Sequence, residues 1–373
     1  MFISFLGLGQ GGSNIADEAA SHGFYTSSIN YSQRDLDSLE HIELKLKLVG
    51  SEGIGKARSE AIRLMNNNWD LATTFVKENY SHSSIEIIFV PFSTSGGSGS
   101  GIAPVLLNIL CEMMPDKVFV AMPIIPDSTE SYISQKNCLE TFEDLSDLNI
   151  CILPIDNDKY RSMLGNVGKN VLYKSINQDV IKLIKNLVAY TDRQSKFSAF
   201  DKKDLKAIFS TKGIATISET NLNDLIKQSE IGESSISEYI QKSWLNSCFA
   251  EIEFNQIISA GFIFDGNEKL MQLLNLQKIF SPFANEMPIN LFEGYFESEE
   301  NVVTTILSGL DWCNSRLKKV ENIAKDTVEL FNKIETTNQY KSNVSNFQFK
   351  LNNQKPITQK VKDISSIINK FKR

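Results

Sequence analysis

Nine residues constrain this chain more than any others: Ser93-Thr94-Ser95-Gly96-Gly97-Ser98-Gly99-Ser100-Gly101. Every residue that is not glycine bears a hydroxyl. An apolar run, Ile85 to Phe92, precedes them and reads as a buried strand; an apolar helix follows from about Ile102. Such a composition also makes flexible linkers, but a linker is not normally clamped between an apolar strand and an apolar helix. Glycine allows close backbone approach and positive φ. Successive N–H groups at a helix start cradle an anion, helped by the helix dipole. The stretch therefore reads as a phosphate-binding loop.

Two further glycine loops support that reading and supply its rivals. A short apolar strand, residues 2–8, leads into Gly7-Leu8-Gly9-Gln10-Gly11-Gly12-Ser13-Asn14. A helix follows, stopping at Gly23, and then a strand at 24–29. Gly7, Gly9 and Gly12 satisfy G-x-G-x-x-G, so a Rossmann-type dinucleotide-binding oxidoreductase is the alternative. That site wants an acid near the end of the second strand. Here the strand ends in Asn30-Tyr31-Ser32, and the nearest acid is Asp35. Residues 42–49 alternate apolar and charged side chains, as an edge strand does. They run into Gly50-Ser51-Glu52-Gly53-Ile54-Gly55-Lys56-Ala57, one residue short of a P-loop, because Ala57 has no hydroxyl for magnesium. This reads as a second phosphate-contacting loop. In the helix beyond it, Ile62, Met65, Trp69, Leu71 and Phe75 are expected to face inward.

The α/β alternation continues. Strands are expected at 117–124 and 149–155 with a helix at 131–145 between them. Polar residues end these strands, where open α/β sheets bind ligands. A long helix at 167–190 carries Leu172, Ile176, Val180, Ile181, Ile184, Leu187 and Val188 at helical spacing. Strands are then expected at 249–254, 257–264 and 289–296. Residues 301–338 read as one helix, ~57 Å long, with Val302, Ile306 and Leu310 on its apolar side. The fold class is α/β: a parallel-sheet nucleotide domain (1–190) that includes the central helix, a smaller α+β domain (191–300), the long C-terminal helix (301–338) and a flexible basic tail (339–373). In that tail Lys355, Lys360, Lys362, Lys370, Lys372 and Arg373 outweigh Asp363.

Bulk properties exclude several classes. A net charge of −7 argues against a generic polyanion binder, so any nucleic-acid role is local or indirect. The five cysteines form no Cys-x-x-Cys pair, and the three histidines lack metal-ligand spacing. No run approaches ~20 uninterrupted apolar residues. The start, Met1-Phe2-Ile3-Ser4, has no basic region. No membrane span or signal peptide is expected, and the expected location is cytoplasmic.

Together these stretches resemble one family. Ser95-Gly96-Gly97-Ser98-Gly99-Ser100-Gly101 resembles the G-G-G-T-G-S-G signature of the tubulin/FtsZ superfamily. Gly9-Gln10-Gly11-Gly12-Ser13-Asn14 resembles that family's first nucleotide loop, with Gln10 similar to the tubulin form. Ile155-Asp156-Asn157-Asp158 is similar to the base-reading Pro-Asn-Asp of FtsZ, with the proline displaced to Pro154. Asn177 resembles the asparagine of the family's central helix. Asp201 and Asp204 resemble the acids of the catalytic Asn-x-Asp-x-x-Asp loop, whose asparagine is Ala199 here. The resemblance is strongest before residue 210. The Gly53-Ile54-Gly55-Lys56 loop, the long C-terminal helix and the basic tail make the chain most similar to the TubZ group of plasmid and phage proteins.

The resemblance implies a GTPase that binds GTP or GDP with Mg2+ held by phosphates and water rather than by protein ligands. Gly9, Gln10, Gly11, Asn14, Gly53, Gly55, Lys56, Ser95, Gly96, Gly97, Ser98, Gly99 and Ser100 would grip the nucleotide. Glu130, in preference to Asp127, would take the ribose hydroxyls, and Asn157 and Asn177 would read guanine. Asp201 and Asp204 would orient the attacking water; read from the residues alone, a helix cap is an equal alternative for the same pair. The central helix, ~35 Å long, separates them from the base, so one subunit would complete the site of the next in a head-to-tail filament. The implied role is segregation of plasmid or phage DNA through a DNA-bound adaptor on the C-terminal tail, with no sequence-specific DNA contact and no membrane. FtsZ-like cell division is the alternative.

Overall fold

A computed structural model describes residues 2–165, 167–227 and 231–337. The first half runs β1 (Ile3–Leu8), α1 (Gly9–Ser21), β2 (Tyr25–Asn30), α2 (Gln33–Asp37), β3 (Leu44–Lys47), α3 (Arg58–Tyr80), β4 (Ile87–Ser93) and α4 (Ser98–Met113). It continues with β5 (Val118–Ile125), α5 (Tyr132–Ser146), β6 (Cys151–Ile152), β7 (Ile155–Asp156), α6 (Asn157–Leu164) and the central helix α7 (Lys169–Tyr190). Beyond lie α8 (Lys202–Phe209), β8 (Gly213–Asn221), α9 (Asn223–Lys227), α10 (Glu233–Leu245), β9 (Ser259–Gly266), α11 (Glu268–Met271), α12 (Leu276–Phe280), β10 (Asn290–Glu297), β11 (Val302–Leu310) and α13 (Asn314–Thr337).

Among the described residues the strands form one sheet in the order β10-β9-β11-β8-β6-β5-β4-β1-β2-β3, with β7 on β5. Strands β1 to β7 pair in parallel, as expected where helical crossovers join them. Strand β11 is antiparallel to both β8 and β9. The boundary expected near residue 190 does not interrupt the sheet: β6 and β8 join the two halves through Cys151–Gly213 and Ile152–Ile214. Apolar cores fill both faces of the sheet. Helix α7 buries Leu172, Ile176, Val180, Ile181, Ile184 and Leu187, the side expected from their spacing. Cys138, Cys151, Cys248 and Cys313 are buried free thiols, and burial pushes each up to about 12.

Three expectations are corrected. Residues 302–310 are strand, not helix: β11 lies between β8 and β9 and is buried on both faces. Val302, Ile306 and Leu310 are four apart, a spacing that satisfies both the helical and the two-residue period. The β-branched run Val302-Val303-Thr304-Thr305-Ile306 decides for the strand. The C-terminal helix is therefore α13 alone, ~36 Å long. Residues 249–254 form no strand but a single bridge, Phe249 to Ile155. Their partner β7 ends at once, because Asp156 goes on to cap α6. On α3 the buried set is Ala61, Leu64, Met65, Ala72, Val76 and Tyr80, while Trp69 and Leu71 are each 42% exposed. Ala61 and Ala72 pack with Leu64, Met65, Val76 and Tyr80 on the buried side, and Trp69 and Leu71 turn outward.

The chain divides into residues 1–328 and residues 329–373. The described part of the second unit is the end of α13, where Leu330 and Phe331 are exposed. The basic tail lies outside the described residues. No described helix is long and apolar enough to cross a membrane.

Candidate nucleotide site

A cavity of about 580 Å³ opens at the carboxyl ends of the parallel strands. Three glycine loops meet there. Gln10, Gly11 and Asn14 line it from the first, Gly53 and Gly55 from the second, and Ser95, Gly96, Ser98 and Gly99 from the third. Glu130, Asn157 and Asn177 also line it. Twelve residues far apart in sequence thus share one cavity.

The loops touch one another through glycine. Gly9 has φ +66°, and a Cβ there would lie 2.6 Å from the backbone N of Gly99. Gly97 donates its N–H to the Gly55 carbonyl at 2.9 Å, and a Cβ on Gly97 would meet that carbonyl oxygen at 2.7 Å. Gly9 and Gly97 do not line the cavity; they let its walls close up. Ser100 does not line it either: its buried hydroxyl donates to the carbonyls of Gly96 and Gly97. Lys56 is also absent from the lining, and its Nζ donates to Ser131 Oγ at 2.9 Å and Ser134 Oγ at 2.6 Å. That ammonium ties the second loop to the start of α5.

At the phosphate-like end, α1 and α4 begin beside the cavity with no side-chain cap. Their first N–H groups lack intrahelical partners, and the dipole adds partial positive charge. Helix starts of this kind suit an anion without a fixed cation. Among the described residues no group of three or more His, Cys, Asp or Glu is arranged to hold a metal. A divalent ion here would take its oxygen ligands from phosphates and water.

At the other end, Asn157 is buried, and its Oδ1 has no hydrogen-bond partner. A buried orphan acceptor beside a cavity is costly unless a ligand donor meets it. Asn177 and Tyr173 face the same space one turn apart on α7. Burial and the nearby Glu130 and Asp127 carboxylates push the Tyr173 hydroxyl up to about 12, so it stays neutral. Asp127 is not in the lining. Burial opposes its ionisation, but Thr129 and Arg161 outweigh that and hold its carboxyl below the usual range. Arg161 donates to it at 2.8 Å. Of these two acids, Glu130 is therefore the one turned to the cavity.

The family model for the Tubulin/FtsZ family GTPase domain matches residues 2–165. Residues 2–165 are thus similar to a tubulin/FtsZ-family GTPase domain. Tubulin-like protein CetZ of Pyrococcus horikoshii is 28% identical over 323 residues, covering 80% of this chain and 88% of CetZ. Tubulin-like protein TubZ of Clostridium botulinum C phage is 25% identical over 334 residues, covering 88% and 84%. A GTPγS-form protofilament structure of Bacillus thuringiensis serovar israelensis TubZ superposes with a TM-score of 0.76 at 15% identity, covering 91% of this chain and 95% of that one. At that identity the likeness is one of fold. Both the archaeal and the phage branches of this tubulin-like family thus match.

Asp201 and Asp204 stand outside the cavity of this GTPase fold, at the start of α8. They form a full capping box: Asp201 accepts from the backbone of Lys203 and Asp204, and Asp204 accepts from the backbone of Asp201. Burial and the neighbouring Asp201 raise the Asp204 pKa.

Sequence reasoning missed Ser32, Asp35, Asn170 and Tyr173, all in the lining. Tyr173 was within reach, because residues four apart on a helix share a face and Asn177 was already assigned. Ser32 and Asp35 are brought in by α2, which Ser32 caps by accepting from Asp35 N at 3.2 Å. Asp35 also accepts from Asn30 at 3.1 Å.

Proposed function

We propose that the cavity binds GTP and GDP with Mg2+, and that this GTPase works as a head-to-tail filament. The observation that carries the reading is the pairing of two uncapped helix starts at one end with the unpartnered Asn157 amide oxygen at the other. The first suits a polyphosphate. The second, with Asn177, suits the donor and acceptor edge of guanine. Tyr173 offers an aromatic surface, and Glu130 accepts ribose hydroxyls. Gln10, Gly11, Asn14, Gly53, Gly55, Ser95, Gly96, Ser98 and Gly99 contact the nucleotide. Gly9, Gly97, Ser100 and Lys56 keep the loops in place around it.

Asp201 and Asp204 are the catalytic acids, acting on the nucleotide of the neighbouring subunit. Asn177 lies ~20 Å along the α7 axis from Tyr190, and the acids lie beyond Tyr190. They therefore do not reach the nucleotide of their own chain. A contact between unlike faces propagates as an open filament, consistent with the protofilament described for the Bacillus TubZ. Each acid orients or deprotonates the attacking water. Magnesium supplies charge neutralisation at the phosphates when bound.

The filament segregates plasmid or phage DNA in the cytoplasm through a DNA-bound adaptor that docks on the C-terminal tail. The relation to a phage TubZ supports this branch. The relation to archaeal CetZ proteins supports a second reading, a cytoskeletal filament without DNA cargo. Light scattering and electron microscopy with GTP, GDP and ATP test assembly. GTP-specific filaments are expected, and no assembly with GTP would refute the reading. Deleting residues 356–373 separates the branches: loss of adaptor–DNA recruitment with intact filaments supports segregation.

A further inference from the structure

One guanidinium holds together the two strand ends from which nucleotide-facing side chains hang. Strands β5 and β7 run in parallel, with Ile124 opposite Ile155 and Ile125 opposite Asp156. Glu130 follows β5, Asn157 follows β7, and both line the cavity. Arg316, in the first turn of α13, donates from Nε to Asp156 Oδ2 at 2.7 Å and from Nη2 to the Pro126 carbonyl at 2.8 Å. The two side chains are 3% and 2% exposed. The other carboxylate oxygen, Asp156 Oδ1, accepts from Asp158 N at 3.1 Å and Lys159 N at 3.4 Å, capping α6. Asn157 is the first residue of that helix. Its amide is therefore aimed by a carboxylate that α13 holds.

Packing alone does not call for this arrangement. A buried ion pair is weak support for stability, and apolar side chains of similar size serve as well or better. The pair here also leaves Arg316 Nη1 without a partner. What the planar fork does, and a point charge does not, is span two acceptors in fixed geometry. Those acceptors sit on the two strand ends that carry Glu130 and Asn157.

We propose that Arg316 is a positioning residue for nucleoside recognition: through it, α13 sets the spacing of Asn157 and Glu130 and thereby the selectivity for guanine. It rests on the reading of the cavity as a GTP site. The phosphate end is built on the starts of α1 and α4, to which Arg316 makes no hydrogen bond. Its influence is confined to the base and ribose.

The test uses the full chain and three ligands: GTP, ITP, which lacks the exocyclic amine of guanine, and inorganic tripolyphosphate. Arg316→Lys keeps the charge but cannot span both acceptors. Asp156→Asn keeps a capping oxygen but removes the ion pair. Both variants are expected to weaken GTP binding about tenfold and to shrink the GTP-over-ITP preference, with tripolyphosphate affinity unchanged. An unchanged GTP-to-ITP ratio in both variants overturns the proposal. So does an equal loss for all three ligands, which marks a purely structural role. A wild-type chain that binds tripolyphosphate but does not favour GTP over ITP would instead sink the guanine reading beneath it, and the proposal with it.

Discussion

Helices α1 and α4 start differently from α8, and the contrast sets the proposed grip on the phosphates against the proposed cutting. Helices α1 and α4 begin at the cavity on bare backbone, with no side chain to satisfy their first N–H groups. Helix α8 begins with both acids of a capping box in place. An uncapped start leaves donors for a ligand, whereas a capped one is complete in itself. The α8 box uses Asp201 Oδ1 and Asp204 Oδ2. The second oxygen of each carboxylate stays outside the box, so capping and chemistry are compatible at these two residues.

The sharpest way to break the comparison is Asp201→Asn. Asparagine caps helices about as well as aspartate, so the fold and GTP affinity should hold. GTP turnover in polymer should fall by about 10²- to 10⁴-fold. Turnover that survives would make the box a cap and nothing more. Next is Gly99→Ala, where the new Cβ would lie 2.9 Å from the Leu8 carbonyl oxygen and 3.1 Å from that of Ser93. GTP binding by equilibrium titration should weaken at least tenfold, about 1.4 kcal/mol. The matched change Gly232→Ala, with open space around it, should leave binding alone.

Asn157→Ala and Asn177→Ala should each narrow the preference for GTP over ATP by about tenfold in competition assays, roughly the worth of a hydrogen bond whose partner would be left unpaired. Smallest is the stability effect at α8. Asp201→Ala should lower unfolding free energy by about 1 kcal/mol in denaturant titration, whereas Asp201→Asn should cost little. Equal losses in both would mean that the carboxylate charge, not the cap, stabilises this helix start.

Much of the nucleotide half was legible because its signals are local. Glycine loops between apolar segments mark the strand-to-helix turns, and the α7 spacing identified its buried face. The C-terminal half was harder. Val302, Ile306 and Leu310 fit a helix and a strand equally, and the β-branched run around them, with neighbouring strands on both sides, settles the matter. Within the site, motif residues were found but their division of labour was not. Ser100 and Lys56 look like ligand contacts in sequence, and their hydrogen bonds go to Gly96, Gly97, Ser131 and Ser134 instead. Arg316 carried no signal at all, since its partners Asp156 and Pro126 are more than 150 positions away. Long-range ion pairs of this kind are invisible to periodicity.

The central claim is that each subunit holds its nucleotide alone but needs a neighbour's Asp201 and Asp204 to hydrolyse it. GTP turnover per subunit, followed across protein concentrations spanning the onset of assembly, tests this directly. The account predicts negligible turnover below the onset and a steep rise above it. Turnover per subunit that is the same in dilute, unassembled protein would contradict it.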